Sequence, residues 1–336
     1  MNPCPKFLIW SLGIRVWGDS LDIRYSEVKH SYIQFTHHMK KEFVISIIIS
    51  LTFLSLGFAL LHYEQIGYGL SFFVFLPFAL GYILGKSTTK TISLWGLIIS
   101  LAIFFILLLA GGLEGMVCVL MAMPLIIIAI ALGAFVKSMI KKYRNSDKQD
   151  NLIKSSVLPF CLFLTFSFIE TELTKHEQFV IEVKSEIILP YSPLDVYETI
   201  KSVDTLDAEK PFLMKLDLPI PQKCILEEEK VGGLRTCYFE GGQIVEKITE
   251  LEKGKILKMD VIGYQLTGRK WLGFKEAIYL FDELDNGGTK MTRITTYTSE
   301  LNPRFYWRPL EKIGIEQEHE YVFSNLKKDL KNKHGG

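Results

Sequence analysis

Four stretches of about 20 residues without a single Asp, Glu, Lys or Arg dominate the first half of this chain: Phe43–His62, Gly67–Gly85, Ile92–Leu113 and Met116–Val136. A hydrocarbon layer of ~30 Å is crossed by roughly 20 apolar residues in a helix, because each residue rises ~1.5 Å. A buried helix of a water-soluble protein rarely stays uncharged for that length. A fifth run, Leu152–Ile169, is shorter and carries Lys154, so it either spans with that lysine drawn to the headgroups or lies flat at the interface. Beyond about residue 170 the pattern changes to that of a water-soluble domain.

The short loops alternate in basic content. Lys40 and Lys41 precede the first run, Lys86 and Lys90 follow the second, and Lys137, Lys141, Lys142, Arg144, Lys148 and Lys154 follow the fourth. Tyr63–Ile66 and Gly112–Gly115 hold no Lys or Arg, a contrast of ten against none. The positive-inside rule then predicts an integral membrane protein of a cell or inner membrane. Its N-terminus is cytoplasmic and, with five spans, its C-terminal domain extracytoplasmic. Residues 1–38 show no clean period and are expected to be a disordered arm or an extension ahead of a native start at Met39. The expected division is 1–38, a helical membrane domain at 39–170, and a second domain at 179–332.

A net charge of +1 gives no basic surface for nucleic acid, and no C-x-x-C, H-E-x-x-H, G-x-S-x-G, Walker or dinucleotide motif is present. No cofactor and no metal are expected. The first four runs hold no Asp, Lys or Arg, which argues against ion transport, and Glu114 is expected to be interfacial.

From Phe179 the hydrophobic period is two. Phe179–Leu189 reads as a strand, followed by a helical segment with Ser192 as cap and Pro193 in its first turn. Six more strands are expected at Lys223–Lys230, Leu234–Glu240, Gln243–Leu251, Lys255–Gly263, Leu272–Leu284 and Thr289–Leu301, separated by Gly-containing breaks that suit tight hairpins. A long helix closes the chain from Phe305 to Leu330, with Asn302 as expected cap and Ile315, Val322, Phe323, Leu326 and Leu330 as its apolar stripe.

This order resembles the helix-grip fold of the START-like (SRPBCC) superfamily, which includes polyketide cyclase/dehydrase-type domains. The residues that carry the likeness are Leu189–Tyr197, Val231–Phe239, Ile244–Glu250 and Gly287–Arg293. The resemblance covers about 180–332 and implies a bent antiparallel sheet around a long C-terminal helix, α+β in class; the apolar runs add a membrane bundle of four or five helices. It also implies a hollow for an apolar small molecule. It implies no particular reaction, because fold does not dictate function.

The expected cavity residues are His319, Ile315, Val322, Leu326, Arg235, Arg293 and Trp271. His319 is either a ligand or acid/base group or a satisfied core histidine. Arg269-Lys270-Trp271 and Asn302–Arg308 combine cations with aromatics and form either a membrane-facing rim or ordinary packing. Cys224 and Cys237 flank a turn centred near Gly232, which would offset them by two or more residues, so no disulfide and no nucleophilic cysteine are expected. The function expected is a membrane-anchored module that binds a membrane lipid or other apolar molecule at the outer face. The alternatives are a cyclase/dehydrase- or hydrolase-type enzyme and a module for contact with an unknown protein.

Overall fold

The computed structural model describes residues 41–85, 90–144, 152–174, 179–216, 218–266 and 271–335. The expected N-terminal extension at 1–38, the Met39 start and the Arg269-Lys270 pair lie outside the described residues.

The N-terminal half is a bundle of five helices: α1 (Lys41–His62), α2 (Ser71–Leu84), α3 (Lys90–Ala110), α4 (Met116–Arg144) and α5 (Leu152–Thr174). Four of them are long and apolar enough to cross a membrane. The short one is α2, not α5 as the sequence suggested. At 14 residues, opened by a π-helical turn at Ser71–Phe75, it spans only about 21 Å. Its N-terminus stops where α5 supplies a cap from a distance: the Leu70 and Ser71 N–H groups donate to the Glu170 carboxylate at 2.7 and 2.8 Å. An anion suits the positive end of a helix and satisfies otherwise orphaned donors.

Small residues let the helices meet backbone to backbone, the usual way of packing without a hydrophobic drive between helices. A Cβ on Gly81 of α2 would fall 2.1 Å from the Ile130 carbonyl oxygen, and one on Gly133 of α4 would fall 2.1 Å from that of Phe78. Between α1 and α3, Ser46, Ser50, Ser93 and Ser100 are buried around Gly96. These contacts, with Glu170 at α2's start, run the five helices alternately. The ends of α1, α3 and α5 and the starts of α2 and α4 gather at one end. The starts of α1 and α3 and the ends of α2 and α4 form the other.

The second half is a seven-stranded antiparallel sheet in the order β1-β7-β6-β5-β4-β3-β2. Its strands are β1 (Phe179–Leu189), β2 (Pro221–Leu226), β3 (Leu234–Phe239), β4 (Gly242–Glu252), β5 (Ile256–Leu266), β6 (Leu272–Glu283) and β7 (Thr289–Ser299). Two short helices, α6 (Pro193–Ile200) and α7 (Phe212–Lys215), lie between β1 and β2, and α8 (Arg304–His334) closes the chain. Ser192 caps α6 by accepting from the Asp195 N–H. Gly254 and Gly287 take the positive φ their hairpins need, +73° and +77°. Val196, Ile200, Met259, Phe281, Tyr321, Leu326 and Leu330 pack between sheet and helices as the core. This is the helix-grip architecture: a curled sheet holding one long helix.

Two expectations are corrected here. Asn302 does not cap α8. Pro303 precedes the helix without a side-chain cap, and the Asn302 N–H donates instead to Tyr68 O in the bundle at 2.8 Å. Cys224 and Cys237 are bridged, with Cα atoms 4.0 Å apart. The connection between β2 and β3 is the seven-residue loop 227–233, centred near Lys230 rather than Gly232, so Cys224 faces Cys237 directly. Closing a loop of this size stabilises by about 3 kcal/mol. Replacing both cysteines by alanine should therefore lower denaturation stability by about that amount and abolish any effect of reductant on melting. A wild-type melting point indifferent to reductant would show that the bridge contributes nothing.

Candidate functional site

The domain sits on the bundle through the start of α8. Besides the Asn302–Tyr68 bond, the Tyr306 hydroxyl donates to Met121 O of α4, and the Trp307 ring lies 4.8 Å from that of Phe73 in α2. Trp307 Nε1–H in turn donates to Asn302 O at 3.1 Å. Leu301 and Trp307 share one apolar cluster with Leu76, Leu80, Phe104 and Leu108 of the bundle. The Asn302–Arg308 segment is thus a docking element: Trp307 is buried, whereas Phe305 stays 82% exposed beside it.

A cavity of ≈ 160 Å³ lies in this junction. The bundle contributes Phe58, Leu61, Phe73, Phe104, Leu108 and Ala122, and the domain contributes Trp271, Leu272, Phe274, Tyr297, Trp307 and Ile315. Few polar groups reach its wall, among them Glu114, Glu311 and Glu318. The Glu311 carboxylate is held by Arg304, which donates two bonds of 2.8 Å, and by Ser299 and Tyr297 hydroxyls at 2.6 and 3.2 Å. That network locks the start of α8 to the end of β7.

A second cavity, ≈ 70 Å³, lies deeper in the cup between sheet and α8. It adjoins the first, because Phe239, Phe274, Ile315 and Glu318 line both. Its wall carries two ion pairs, one buried and one partly buried. Arg235 on β3 donates to Glu246, its cross-strand partner on β4, at 3.1 Å. Arg293 on β7 donates to Glu318 on α8 at 2.9 Å. Tyr279 lies between the two guanidinium groups, 5.6 Å from Arg235 and 5.5 Å from Arg293. Burial pushes the Glu246 carboxyl up, against the pull of Arg235.

Of the seven residues singled out in sequence, Arg235, Arg293 and Val322 line the inner cavity, Trp271 lines the junction, and Ile315 lines both. Leu326 packs in the core, and His319 lines neither space. His319 is wholly buried, with Thr295 Oγ1 2.7 Å from Nε2 and Ser185 Oγ 2.8 Å from Nδ1. Burial, helped by the Arg293 charge, holds its imidazole down at about 2, so it is neutral at physiological pH. The sequence reading missed Glu246, Glu318 and Tyr279. A signal for Glu318 was available: it stands three residues after Ile315 and four before Val322, on the same helical stripe.

No family model and no curated protein matches the chain. Solved structures similar to it include Ara h 8.0201 (14% identity, 46% of this chain and 99% of that one, TM-score 0.33). The Zhui aromatase/cyclase from Streptomyces sp. R1128 is similar at 12% identity, over 46% of this chain and 96% of that one, with TM-score 0.34. Protein Ms6760 from Mycobacterium smegmatis is similar at 15% identity, over 46% and 92% of the two chains, with TM-score 0.32.

Proposed function

We propose that this chain is a membrane-anchored helix-grip module that takes an apolar molecule, first of all a membrane lipid, into a space shared by bundle and domain. The observation that carries this reading is the junction cavity, whose apolar wall is built from both halves. A concave, largely apolar space with a few convergent polar groups is what a small-molecule site requires. We also place the domain outside the cytoplasm. The start of α1 with Lys41 and the end of α4 with Lys137 and Lys142 lie at the far end of the bundle, and the Cys224–Cys237 bridge suits an oxidising compartment.

Native mass spectrometry of the full chain in detergent should find a co-purified lipid or other apolar mass. Val322→Phe should reduce its occupancy several-fold while leaving the melting point within a degree or two, because the added ring enters the inner cavity rather than a filled core. In a filled core the same change overpacks and costs ~1–3 kcal/mol. A variant that melts much lower with its ligand occupancy intact would refute the reading. The enzymatic alternative is favoured by one observation, the convergence of Arg235, Arg293 and Tyr279 on one small space. On that reading Tyr279→Phe would abolish turnover of a bound molecule without releasing it.

A further inference from the structure

The start of α8 docks below the level at which the bundle ends. A Cβ on Gly81 would meet Ile130, and one on Gly85 would meet Ala134. A position on α2 is therefore level with the one about 49 residues further on in the parallel α4. Ser71, where α2 begins, is level with Leu120, four residues or about 6 Å inside the start of α4 at Met116. The late start of α2 leaves a notch in the end of the bundle, and α8 reaches into it. Asn302 bonds Tyr68 O, Tyr306 bonds Met121 O, and Trp307 lies against Phe73.

That level can be placed against a bilayer. Lys137, towards the other end of α4, has its Nζ over the Tyr82 ring, 4.2 Å from the centre. A lysine cation sits at or outside the hydrocarbon edge. Met121 precedes Lys137 by 16 residues, about 24 Å of helix, against ~30 Å of hydrocarbon. Met121 and Phe73 therefore stand at or inside the opposite edge when the lysine stem reaches outward, and helix tilt takes them deeper.

Apolar residues scattered singly on a water-soluble surface need no account. Phe305 differs by its place. It adjoins Tyr306 in the segment that enters the notch, and at 82% it is the most exposed large apolar side chain of the domain among the described residues. Arg308 lies one turn on along the same face, also exposed, and a guanidinium suits phosphate headgroups. An apolar side chain at the hydrocarbon edge with a cation beside it is how an interfacial helix holds a membrane.

We infer that the domain itself touches the bilayer: Phe305 inserts among the acyl chains at the hydrocarbon edge, and Arg308 meets the phosphates. The first turns of α8 are then a second membrane anchor, which holds the mouth of the cup at the lipid boundary. This rests on the reading of the bundle as membrane-spanning, and not on which side of the membrane the domain occupies.

The test places a fluorophore on single introduced cysteines of the full chain, in vesicles of phosphatidylcholine and phosphatidylglycerol. Cys4, Cys118 and Cys161 are replaced by alanine, and the Cys224–Cys237 bridge is kept. Iodide quenches from water, and phosphatidylcholine with a nitroxide on its acyl chain quenches from the lipid. Phe305→Cys should be quenched by a nitroxide high on the chain, and several-fold less by iodide than Val231→Cys. Val231 is also exposed, at 62%, but precedes β3, whose other end at Phe239 walls the cavity. Arg308→Cys reads the same face from a second position and should be quenched by both. Both side chains are exposed, so neither substitution disturbs packing. Ile128→Cys, exposed midway along α4, reports on the bundle and should be quenched by a mid-chain nitroxide. Lipid quenching at Ile128→Cys, with iodide quenching at Phe305→Cys and Arg308→Cys as strong as at Val231→Cys, would overturn the inference and leave the bundle reading standing. Protection of Phe305→Cys from both quenchers would overturn it too, because protein would then cover that face. Absence of lipid quenching at Ile128→Cys as well as Phe305→Cys would sink both readings together.

Discussion

Arg235→Met should destabilise the protein by ~3–5 kcal/mol, because it leaves Glu246 charged and alone in the sheet interior. Both partners are almost fully buried, 2% and 7% exposed, so water cannot replace the lost guanidinium. Removing both, as Arg235→Met with Glu246→Met, should be neutral or even stabilising, since similar volumes are kept and no charge is stranded. The single variant also predicts a pH dependence. Burial already raises the folded-state pKa of Glu246 above the unfolded value of about 4.3, and without Arg235 only the Arg293 charge still opposes burial and the Glu318 charge, so it rises further. The unfolded chain then loses this proton first as pH rises, so stability falls between about pH 4.3 and the raised pKa. Denaturant unfolding of the single and double variants at pH 5 and pH 8 measures all of this. A double variant as unstable as the single one would show that side-chain volume, not charge, is what the pair provides.

Gly133→Leu should unfold or splay the bundle. The side chain has no room, since even a Cβ would stand 2.1 Å from Phe78 O, and a backbone atom cannot swing aside. Overpacking in tight interiors costs typically ~1–3 kcal/mol or more, and here a whole helix must retreat. Gly133→Ala should already lower the melting point in detergent. Gly314→Ala is the control: nothing lies within 4 Å of its built Cβ, so the better helix former should gain up to ~1 kcal/mol. Because α4 also walls the junction cavity as far as Ile126, seven residues or about 10 Å before Gly133, Gly133→Ala should also loosen ligand retention. Melting and occupancy unchanged in Gly133→Ala would mean the helices pack more loosely than described.

The second domain was legible because its grammar is local. Alternating residues, Gly at positive φ and Ser192-Pro193 at a helix start each act within a few residues, so strands such as Phe179–Leu189 and Leu272–Glu283 stand where the pattern put them, to within a residue. What failed was register across an irregular loop. The disulfide depends on where 227–233 folds back, and Gly232-Gly233 pointed to the wrong centre. The short α2 was not legible either, because its start is fixed by Glu170, about 100 residues away. The candidate site was half legible. Arg235 and Arg293 stood out as charges in strands, but their partners are set by register and by the face α8 turns inward. The junction cavity left no trace in either half alone, since its two walls are distant in sequence and apolar for ordinary reasons.

Helices α1 to α4 wall the junction cavity on the side facing the bundle, and that changes which reservoir an occupant would answer to. If the proposed reading holds, a molecule resting on Phe104 and Leu108 on one side and Trp307 on the other exchanges with the lipid phase rather than with the aqueous one. Its occupancy then follows its mole fraction among the surrounding lipids. Diluting the sample with buffer at constant protein-to-lipid ratio leaves it loaded, whereas adding empty lipid unloads it.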